Sequence, residues 1–241
     1  MKKIKNALVI LAGGTGKRFG KNLPKQFNEI NGENLIHFFL KRVDTRNFDI
    51  ILIVLKHSHF KYIKNLKFDF PSVDFLFTNA GKSRQISSFN ALKKLKPFEP
   101  KNILIHDAAR PFCTNNLILK ILKQLKKNYS AIPYVLNSDK KVFGYKEFNQ
   151  NLKFIQTPQG FKFKTIFEAH HKSLINNAKD DSILLPKEKT NFIKGEKLNF
   201  KITYPDDFNY FKLFLKPIFK TGIGYDIHRI DTKTKNGLKL C

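Results

Sequence analysis

A glycine-rich and basic segment directly follows the first apolar run of the sequence. The run, residues 7–12, is the right length for a buried parallel strand, and three closely spaced glycines come after it. Glycines at the end of a strand let the backbone approach a phosphate and direct its N–H groups at it. Lys17, Arg18 and Lys25 add positive charge, so the segment predicts a triphosphate site. The alternative is a strand followed by a flexible basic turn that binds nothing.

The spacing in this segment excludes two common phosphate loops. A Walker loop would need glycine at Leu11 and serine or threonine at Arg18. A dinucleotide-binding loop would need a third glycine at Phe19. The pattern that remains, Leu-Ala-Gly-Gly-x-Gly-x-Arg followed by Pro-Lys-Gln, resembles the loop of nucleotidyltransferases that load a sugar phosphate or polyol phosphate onto a nucleotide.

A carboxylate follows another apolar run. Residues 103–105 lead to Asp107, and open α/β sheets bind their ligands at the carboxyl ends of strands. A carboxylate there can hold Mg²⁺ through waters or bond a ribose or polyol hydroxyl, and the alternative role is to cap the next turn. We expect the neighbouring His106 to be hydrogen-bonded and not to act as a base.

Three further segments carry polar residues or turn residues next to predicted strands. Residues 80–87 join a strand to a helix, with Ser83 as its N-cap, and their glycine offers backbone amides to a base or phosphate. In residues 156–161 a proline enforces an extended turn. In residues 199–207, Lys201 is expected to lie near the ends of the other strands.

The elements that must position these residues alternate between strand and helix, which predicts an α/β fold with a mostly parallel sheet covered by helices. The predicted strands are residues 7–12, 49–55, 73–77, 102–105, 131–135, 191–193 and 200–202. The predicted helices are residues 35–43, 58–66, 83–96, 116–127, 164–176 and 206–215. Residues 138–155 break this alternation and predict a projecting β-hairpin, or arm.

The composition limits the class of protein. The 241 residues carry a net charge of +26, which would suit a nucleic-acid-binding protein, but only six of the 45 basic residues are arginine and the lysines are scattered. We therefore expect no specific nucleic acid partner, and expect the charge to recruit anionic substrates. The N-terminal apolar run is too short for a secretory signal, and no run approaches membrane-spanning length. Because Cys113 and Cys241 form no disulfide or metal pattern, we expect a cytoplasmic protein without a membrane partner.

Taken together, the five segments resemble the methylerythritol-phosphate cytidylyltransferase family of the non-mevalonate isoprenoid pathway, over residues 5–214. The specific part is His-Asp-Ala-Ala-Arg-Pro with Gln-Thr-Pro-Gln and Asn-Phe-Lys-Ile-Thr. The resemblance implies a Rossmann-like fold of the nucleotide-diphosphosugar transferase type, with helices on both faces of the sheet and an arm at about residues 137–156. It also implies transfer of CMP from CTP to 2-C-methyl-D-erythritol 4-phosphate with Mg²⁺ and release of pyrophosphate, and a homodimer in which each arm reaches the neighbouring site.

The resemblance assigns roles to individual residues. Arg18 and Lys25 would stabilise the transition state, and Lys201 would hold the incoming phosphate. Asp107 would also hold Mg²⁺ indirectly. The nucleotide would be lined by Ala12, Gly13, Gly14, Gly81, Ser87, Asp107 and Ala108. The acceptor would contact Arg110, Ser138, Asn149 and Lys201.

Three positions depart from the family pattern. Lys82 stands where an acidic residue is common, Asn149 where the arm has an arginine, and Lys179 where a threonine precedes two acidic residues. Two of these concern the acceptor, so its affinity and identity stay open. A nucleotidyltransferase for another polyol phosphate, such as ribitol phosphate, is the alternative enzyme, and a nucleic-acid-binding protein is the alternative of another class.

The last segment belongs to a different pattern. Residues 221–229 resemble the opening strand of methylerythritol cyclodiphosphate synthase, in which Asp226 and His228 would be two ligands of a divalent metal, because residues i and i+2 of a strand share a side. We expect a cytidylyltransferase domain at residues 1–220 and an incomplete synthase strand at residues 221–241, cut short at Cys241. Zn²⁺ or another divalent ion would bind there only if the domain were complete, and the second activity is expected to be absent. His170 and His171 are expected to face solvent.

Overall fold

The computed structural model describes residues 4–14, 23–29, 32–137, 141–143, 146–148 and 152–214. The strands are β1 (Asn6–Leu11), β2 (Ile50–Leu55), β3 (Asp74–Asn79), β4 (Asn102–Asp107), β5 (Ser130–Asn137), β6 (Lys141–Phe143), β7 (Lys146–Phe148), β8 (Leu152–Ile155), β9 (Gln159–Lys162) and β10 (Phe192–Lys194). The helices are α1 (Leu35–Arg42), α2 (Leu66–Asp69), α3 (Arg84–Leu95), α4 (Asn115–Gln124), α5 (Phe163–Lys172) and α6 (Pro205–Phe214).

Eight strands form one mixed sheet in the order β10-β5-β9-β4-β1-β2-β3, with β8 paired to β5. β1 is parallel to both β2 and β4, β2 is parallel to β3, and β10 is parallel to β5. β9 runs antiparallel to its neighbours β4 and β5. The predicted α/β class with a mostly parallel sheet is therefore confirmed, and the antiparallel strand in its middle was not predicted.

Helices cover both faces of the sheet because its central strands are buried on both sides. Along β1, Leu8 and Ile10 enter a core shared with α1 and α4, whereas Ala7 and Val9 enter a second core shared with α3 and α5. Successive residues of a strand point to opposite faces, so an uninterrupted apolar run can supply two cores at once. This arrangement leaves the carboxyl ends of β1 and β4 side by side.

A third, smaller core attaches α6 to the rest of the domain. Phe38 of α1 lies edge-on against Phe211 of α6, with ring centroids 4.8 Å apart, and Phe112 and Ile202 are buried in the same cluster. The predicted strand at residues 200–202 was wrong: this segment joins no strand ladder, although Ile202 N–H donates to the Ala109 carbonyl at 2.8 Å. The aromatic cluster therefore fixes the segment that carries Lys201.

One predicted helix start is confirmed, and one predicted helix was wrong. The cap at Ser83 is confirmed, since its hydroxyl accepts from Ile86 N–H. Residues 58–66 were expected to form a helix, but they overlap a 3₁₀ segment (His57–Tyr62), and α-helix begins only at Leu66. Among the described helices, none combines the length and the apolarity needed to cross a membrane.

The arm was predicted at residues 138–155, and its described part is a hairpin. β6 pairs antiparallel with β7, and β8 then returns along β5. Gly160 in β9 shows why that strand escaped prediction. A polar and glycine-containing segment is typical of a turn, but a Cβ at this position would lie 2.3 Å from Ile121 Cγ2, so glycine allows β9 to pack against α4.

Candidate active site

The carboxyl ends of β1 and β4 open into a cleft of about 690 Å³. Leu11 is in register with Asp107, so the segments that follow the two strands face each other. The cleft is lined by Leu11, Gly13, Gly14, Lys25, Gln26, Lys56, Gly81, Lys82, Ser83, Arg84, Ser87, Asp107, Ala108, Ala109, Lys201 and Thr203. Four of the five predicted segments supply residues to this lining. Residues 156–161 supply none and contact Asp107 from outside the cleft.

The backbone after β1 is held in place by one buried side chain. Gln26 Nε2 donates to the carbonyls of Ala12 and Gly14, at 2.7 and 2.8 Å. At Gly13 a Cβ would lie 2.3 Å from Ala80 Cβ, whereas at Gly14 it would meet nothing within 4 Å. Gly13 is thus required by close packing, and Gly14 faces open space. The role of Gln26 was missed, although it belongs to the Pro-Lys-Gln pattern that drew attention to this segment.

The turn before α3 is closed by its own hydrogen bonds. Ser87 Oγ accepts from Gly81 N–H at 3.0 Å and donates to the Ser83 carbonyl at 2.8 Å. A Cβ at Gly81 would lie 2.2 Å from Ile86 Cγ2, which explains the glycine. Gly81 and Ser87 do line the cleft, but both are engaged with each other, and their contact with a nucleotide stays a prediction.

Asp107 is buried between two cations at the floor of the cleft. Lys201 Nζ lies 2.6 Å from its Oδ2 and Arg84 Nε lies 3.3 Å from its Oδ1. Burial alone would raise the pKa of Asp107, but Arg84 and Lys201 outweigh it and hold the pKa well below its usual value. Its backbone N–H donates to Thr157 Oγ1 at 3.0 Å, which is the contribution of residues 156–161. Asp107 is therefore ionised and held on both sides.

Arg84 was not predicted as a site residue, and it connects the cleft with a buried carboxylate. Its Nη1 lies 2.6 Å from Asp181 Oδ2, and His170 Nε2 lies 3.0 Å from Asp181 Oδ1. Burial opposes the charge on Arg84, and the two carboxylates outweigh it and raise its pKa. The expectation that His170 faces solvent was wrong, because it lies on the inner face of α5 and stacks on Phe89. The expectation for His171 is confirmed.

The described lining of the cleft is strongly cationic. Besides Arg84 it contains Lys25, Lys56, Lys82 and Lys201, against the single carboxylate of Asp107. The ammonium of Lys25 donates to the carbonyl of Ile202, which brings the first and last predicted segments together. A concave site with this balance of charge attracts anions.

The donor set around Asp107 fits one kind of metal binding. The described residues contain no group of three or more His, Cys, Asp or Glu side chains that could hold a metal ion. Mg²⁺, however, is commonly bound through one or two carboxylates, waters and the phosphates of a substrate. Each oxygen of an ionised carboxylate has more than one acceptor site, so Asp107 keeps acceptor capacity beside its two cations. Asp107 thus fits Mg²⁺ that arrives with a phosphate ligand.

Two predicted residues have structural partners away from the cleft. Arg110 donates to the carbonyls of Asn199 and Ile155, at 2.8 and 3.3 Å, and it does not line the cleft described above. Its contact with an acceptor stays a prediction. His106 Nε2 lies 3.0 Å from the Arg110 carbonyl, and burial lowers the pKa of His106 to about 3. The expectation that His106 is hydrogen-bonded is confirmed, and the expectation that it does not act as a base stays a prediction.

Several predicted residues lie outside the described part of the chain, and their roles stay predictions. They are Arg18, Ser138, Asn149, Asp226 and His228.

Comparison with known proteins agrees with this architecture. The family model described as "IspD: 2-C-methyl-D-erythritol 4-phosphate cytidylyltransferase" matches residues 6–216. The chain is 34% identical to the bifunctional enzyme IspD/IspF of Pelagibacter ubique over 98% of this chain and 64% of that protein. It is 35% identical to the 2-C-methyl-D-erythritol 4-phosphate cytidylyltransferase of Clostridium perfringens over 86% of this chain and 97% of that protein.

A solved structure gives the same result. The crystal structure of 4-diphosphocytidyl-2C-methyl-D-erythritol synthase from Anaerococcus prevotii has a TM-score of 0.74 and 27% identity, over 88% of this chain and 96% of that chain. The chain spans 64% of the length of the bifunctional relatives it matches. Because the family model covers every segment that builds the cleft, the chain belongs to the IspD family of 2-C-methyl-D-erythritol 4-phosphate cytidylyltransferases.

Proposed function

We propose that this chain transfers the cytidylyl group of CTP to 2-C-methyl-D-erythritol 4-phosphate, giving 4-diphosphocytidyl-2-C-methyl-D-erythritol and pyrophosphate in the non-mevalonate isoprenoid pathway. The observation that carries the proposal is the cationic cleft at the ends of β1 and β4, within residues matched by the family model. Such a cleft suits a reaction in which both substrates are phosphates.

The reaction forms one bond and breaks one. A phosphate oxygen of the acceptor attacks the α-phosphorus of CTP, and the bond from that phosphorus to the bridging oxygen breaks, so that pyrophosphate leaves with the electron pair. This chemistry depends on positioning and on charge stabilisation more than on a protein nucleophile. Lys25 and Arg18 would stabilise the charge that develops at the α-phosphate. Lys201, whose side chain is 39% exposed, would bind the acceptor phosphate.

Asp107 would hold Mg²⁺ together with the phosphates of CTP, and the ion would neutralise part of the triphosphate charge. The lining glycines of the β1 loop would allow the nucleotide to approach the backbone. Ser138 and Asn149 remain proposed contacts of the acceptor, and a contact of Arg110 with the acceptor stays a prediction of the family resemblance.

The arm supports a homodimer as a second part of the proposal. Among the described strands, β6 and β7 pair only with each other. An isolated two-stranded hairpin is marginally stable in water, so a surface of another subunit would stabilise it. In the proposed homodimer, the arm of one subunit would reach the cleft of the other. A cytoplasmic location stays a prediction.

The C-terminal segment supports a third part. The bifunctional IspD/IspF relatives match 98% and 100% of this chain, whereas the Clostridium perfringens cytidylyltransferase matches 86%. We therefore propose that residues 221–241 correspond to the start of a cyclodiphosphate synthase domain, with Asp226 and His228 as two metal ligands. They would supply two of the three protein ligands that a catalytic zinc site needs. Cytidylyl transfer should survive deletion after Lys220, and assays of both activities on both chains test this.

Pyrophosphate release from CTP tests the main proposal. The acceptors are 2-C-methyl-D-erythritol 4-phosphate, erythritol phosphate and ribitol phosphate, each with Mg²⁺. The expected result is turnover with the first and little with the others. Turnover with ribitol phosphate alone would show that ribitol phosphate is the acceptor. Nanomolar, salt-sensitive nucleic acid binding without any turnover would favour the non-enzymatic alternative.

A further inference from the structure

A series of alternating charges leads from the cleft into the core behind it. Lys201, Asp107, Arg84 and Asp181 follow one another with N···O distances of 2.6, 3.3 and 2.6 Å, and His170 then lies 3.0 Å from Asp181. The side chain of Lys201 is the most exposed of the four at 39%, that of Asp181 is the least exposed at 1%, and those of Asp107 and Arg84 lie between them at 11% and 20%. The outer members touch the cleft, and the inner ones do not.

The inner end of this series is rigidly held. His170 stacks on Phe89 of α3 with ring centroids 5.8 Å apart and an angle of 11° between the rings. On the other side, Gln159 Nε2 donates to Asp180 Oδ2 at 2.6 Å, which fixes the residue next to Asp181. A buried carboxylate is costly unless it is paired, so Asp181 strongly favours the arginine that faces it. The direction of the Arg84 side chain is thereby determined from inside the protein.

At the outer end of the series, Arg84 and Lys201 share the two carboxylate oxygens of Asp107. One oxygen of Asp107 lies near Arg84 and the other near Lys201. Without the guanidinium, both oxygens would attract the Lys201 ammonium, which would then be less available to a phosphate. Arg84 therefore affects the position of Lys201 without touching it.

We propose that Arg84 and Asp181 are positioning residues for the acceptor side of the cleft: Asp181, held by His170, aims Arg84 at Asp107, and Arg84 shares that carboxylate with Lys201. This inference rests on the proposed function, since it assumes that Lys201 receives the acceptor phosphate. It adds two residues, neither of which needs to contact a substrate, to the set that governs turnover.

Steady-state kinetics of the full chain with varied acceptor test the proposal. Arg84→Met should lower kcat/KM for the acceptor about 100-fold and Asp181→Asn about 10-fold, magnitudes typical of a misplaced reacting group. The Kd for CTP, measured by calorimetry without acceptor and without Mg²⁺, should stay within about threefold because the β1 loop is unchanged. Arg84→Lys should recover part of the loss, since it restores a cation beside Asp107. Melting temperatures show that each variant is folded.

Two surface pairs provide matched controls. Arg46 pairs with Asp44, and His37 pairs with Asp69, both outside the cleft. Arg46→Met and His37→Gln should leave kcat/KM unchanged. If Arg84→Met weakened CTP binding as much as it slowed turnover, Arg84 would be a nucleotide ligand and the proposal would be wrong. Lower melting temperatures with unchanged kinetic constants would equally overturn it.

The failure of the proposed function is distinguishable from the failure of this inference. If the unmodified chain releases no pyrophosphate with any acceptor, the proposed function fails, and crystal structures of Arg84→Met and Asp181→Asn then decide the positioning role. The expected result is a shift of the Lys201 ammonium relative to Asp107 in both variants. An unshifted ammonium would refute the inference.

Discussion

Two largely buried arginines near the cleft have opposite kinds of partner. Arg84 donates to the carboxylates of Asp107 and Asp181, whereas Arg110 donates to the carbonyls of Asn199 and Ile155. Burial opposes the charge on both. Carboxylates outweigh burial and raise the pKa of Arg84, while for Arg110 burial prevails and lowers the pKa.

The difference separates two regions with different tasks. Around Arg84 the charges alternate and reach the cleft, so an incoming phosphate can compete for them. Around Arg110 the partners are backbone groups: Gln156 Nε2 also donates to the carbonyls of Glu196 and Asn199, at 2.7 and 3.1 Å. This second region fixes the segment that ends in Lys201. The region around Arg84 thus presents charged groups to the cleft, and the region around Arg110 holds the backbone segment that carries Lys201.

Replacing Arg110 should have the largest effect, and the effect should be on stability. In Arg110→Met the carbonyls lose two hydrogen bonds from a charged donor, which should lower the free energy of unfolding by about 2–4 kcal/mol. Urea denaturation measures this, and kcat of the folded protein should change less than about threefold. Arg46→Met, at an exposed pair, should leave the free energy of unfolding essentially unchanged. A large loss of kcat with wild-type stability would instead show that Arg110 contacts the acceptor, as the family resemblance implied.

Lys25 is the residue that could belong to either region, because it lines the cleft and also donates to the Ile202 carbonyl. We expect Lys25→Ala to lower kcat by about 100-fold, or about 2.7 kcal/mol of transition-state stabilisation, with little loss of stability. The same loss of kcat is expected for Arg18→Ala. Lys123→Ala, at an exposed position of α4, is the control. Unfolding of Lys25→Ala without a specific loss of kcat would assign Lys25 to the backbone-holding region.

Acid should weaken the region around Arg110 through His106. Burial lowers the pKa of His106 to about 3, against about 6.5 for an unfolded histidine, so the unfolded state takes up the proton first. The contribution of His106 to stability is therefore present above pH 6.5 and is lost as the pH falls, by up to about 1.4 kcal/mol per pH unit. Urea denaturation between pH 7 and pH 4.5 should show this slope, and His106→Gln should flatten it. Equal slopes in both proteins would mean that other groups dominate.

The smallest effect should come from an exposed charge at the mouth of the cleft. Lys82 lines the cleft but is exposed, and water and salt screen such charges. Lys82→Gln should raise KM for CTP by no more than about threefold, and 0.5 M salt should remove the difference. A tenfold or larger change that persists in salt would place a direct contact at Lys82.

The sequence predicted the outer parts of the site better than the inner ones. Asp107 and Lys201 were found because strand ends and their polar residues follow from local patterns. Asp181 lies 97 residues from Arg84 along the chain, and no local pattern reports that pairing. His170 was misplaced for the same reason, since its burial depends on the carboxylate that faces it. Strand β9 was missed because its glycine, typical of turns, serves a contact with α4 that only the assembled fold creates.

The contact of Lys25 with Ile202 joins residues 177 positions apart in the chain, and Lys201 lies 94 positions from Asp107. A ribosome adds about 5–20 residues per second, so Lys25 leaves the synthesis site roughly 10–35 s before its partner exists. During that interval the paired strands β1, β2 and β3 can form, but the lining residues Lys201 and Thr203 have not yet been added to the chain. Assembly of the cleft is consequently a late event in the biogenesis of this chain, completed when α6 packs into the cluster of phenylalanines and the segment with Lys201 is held in place.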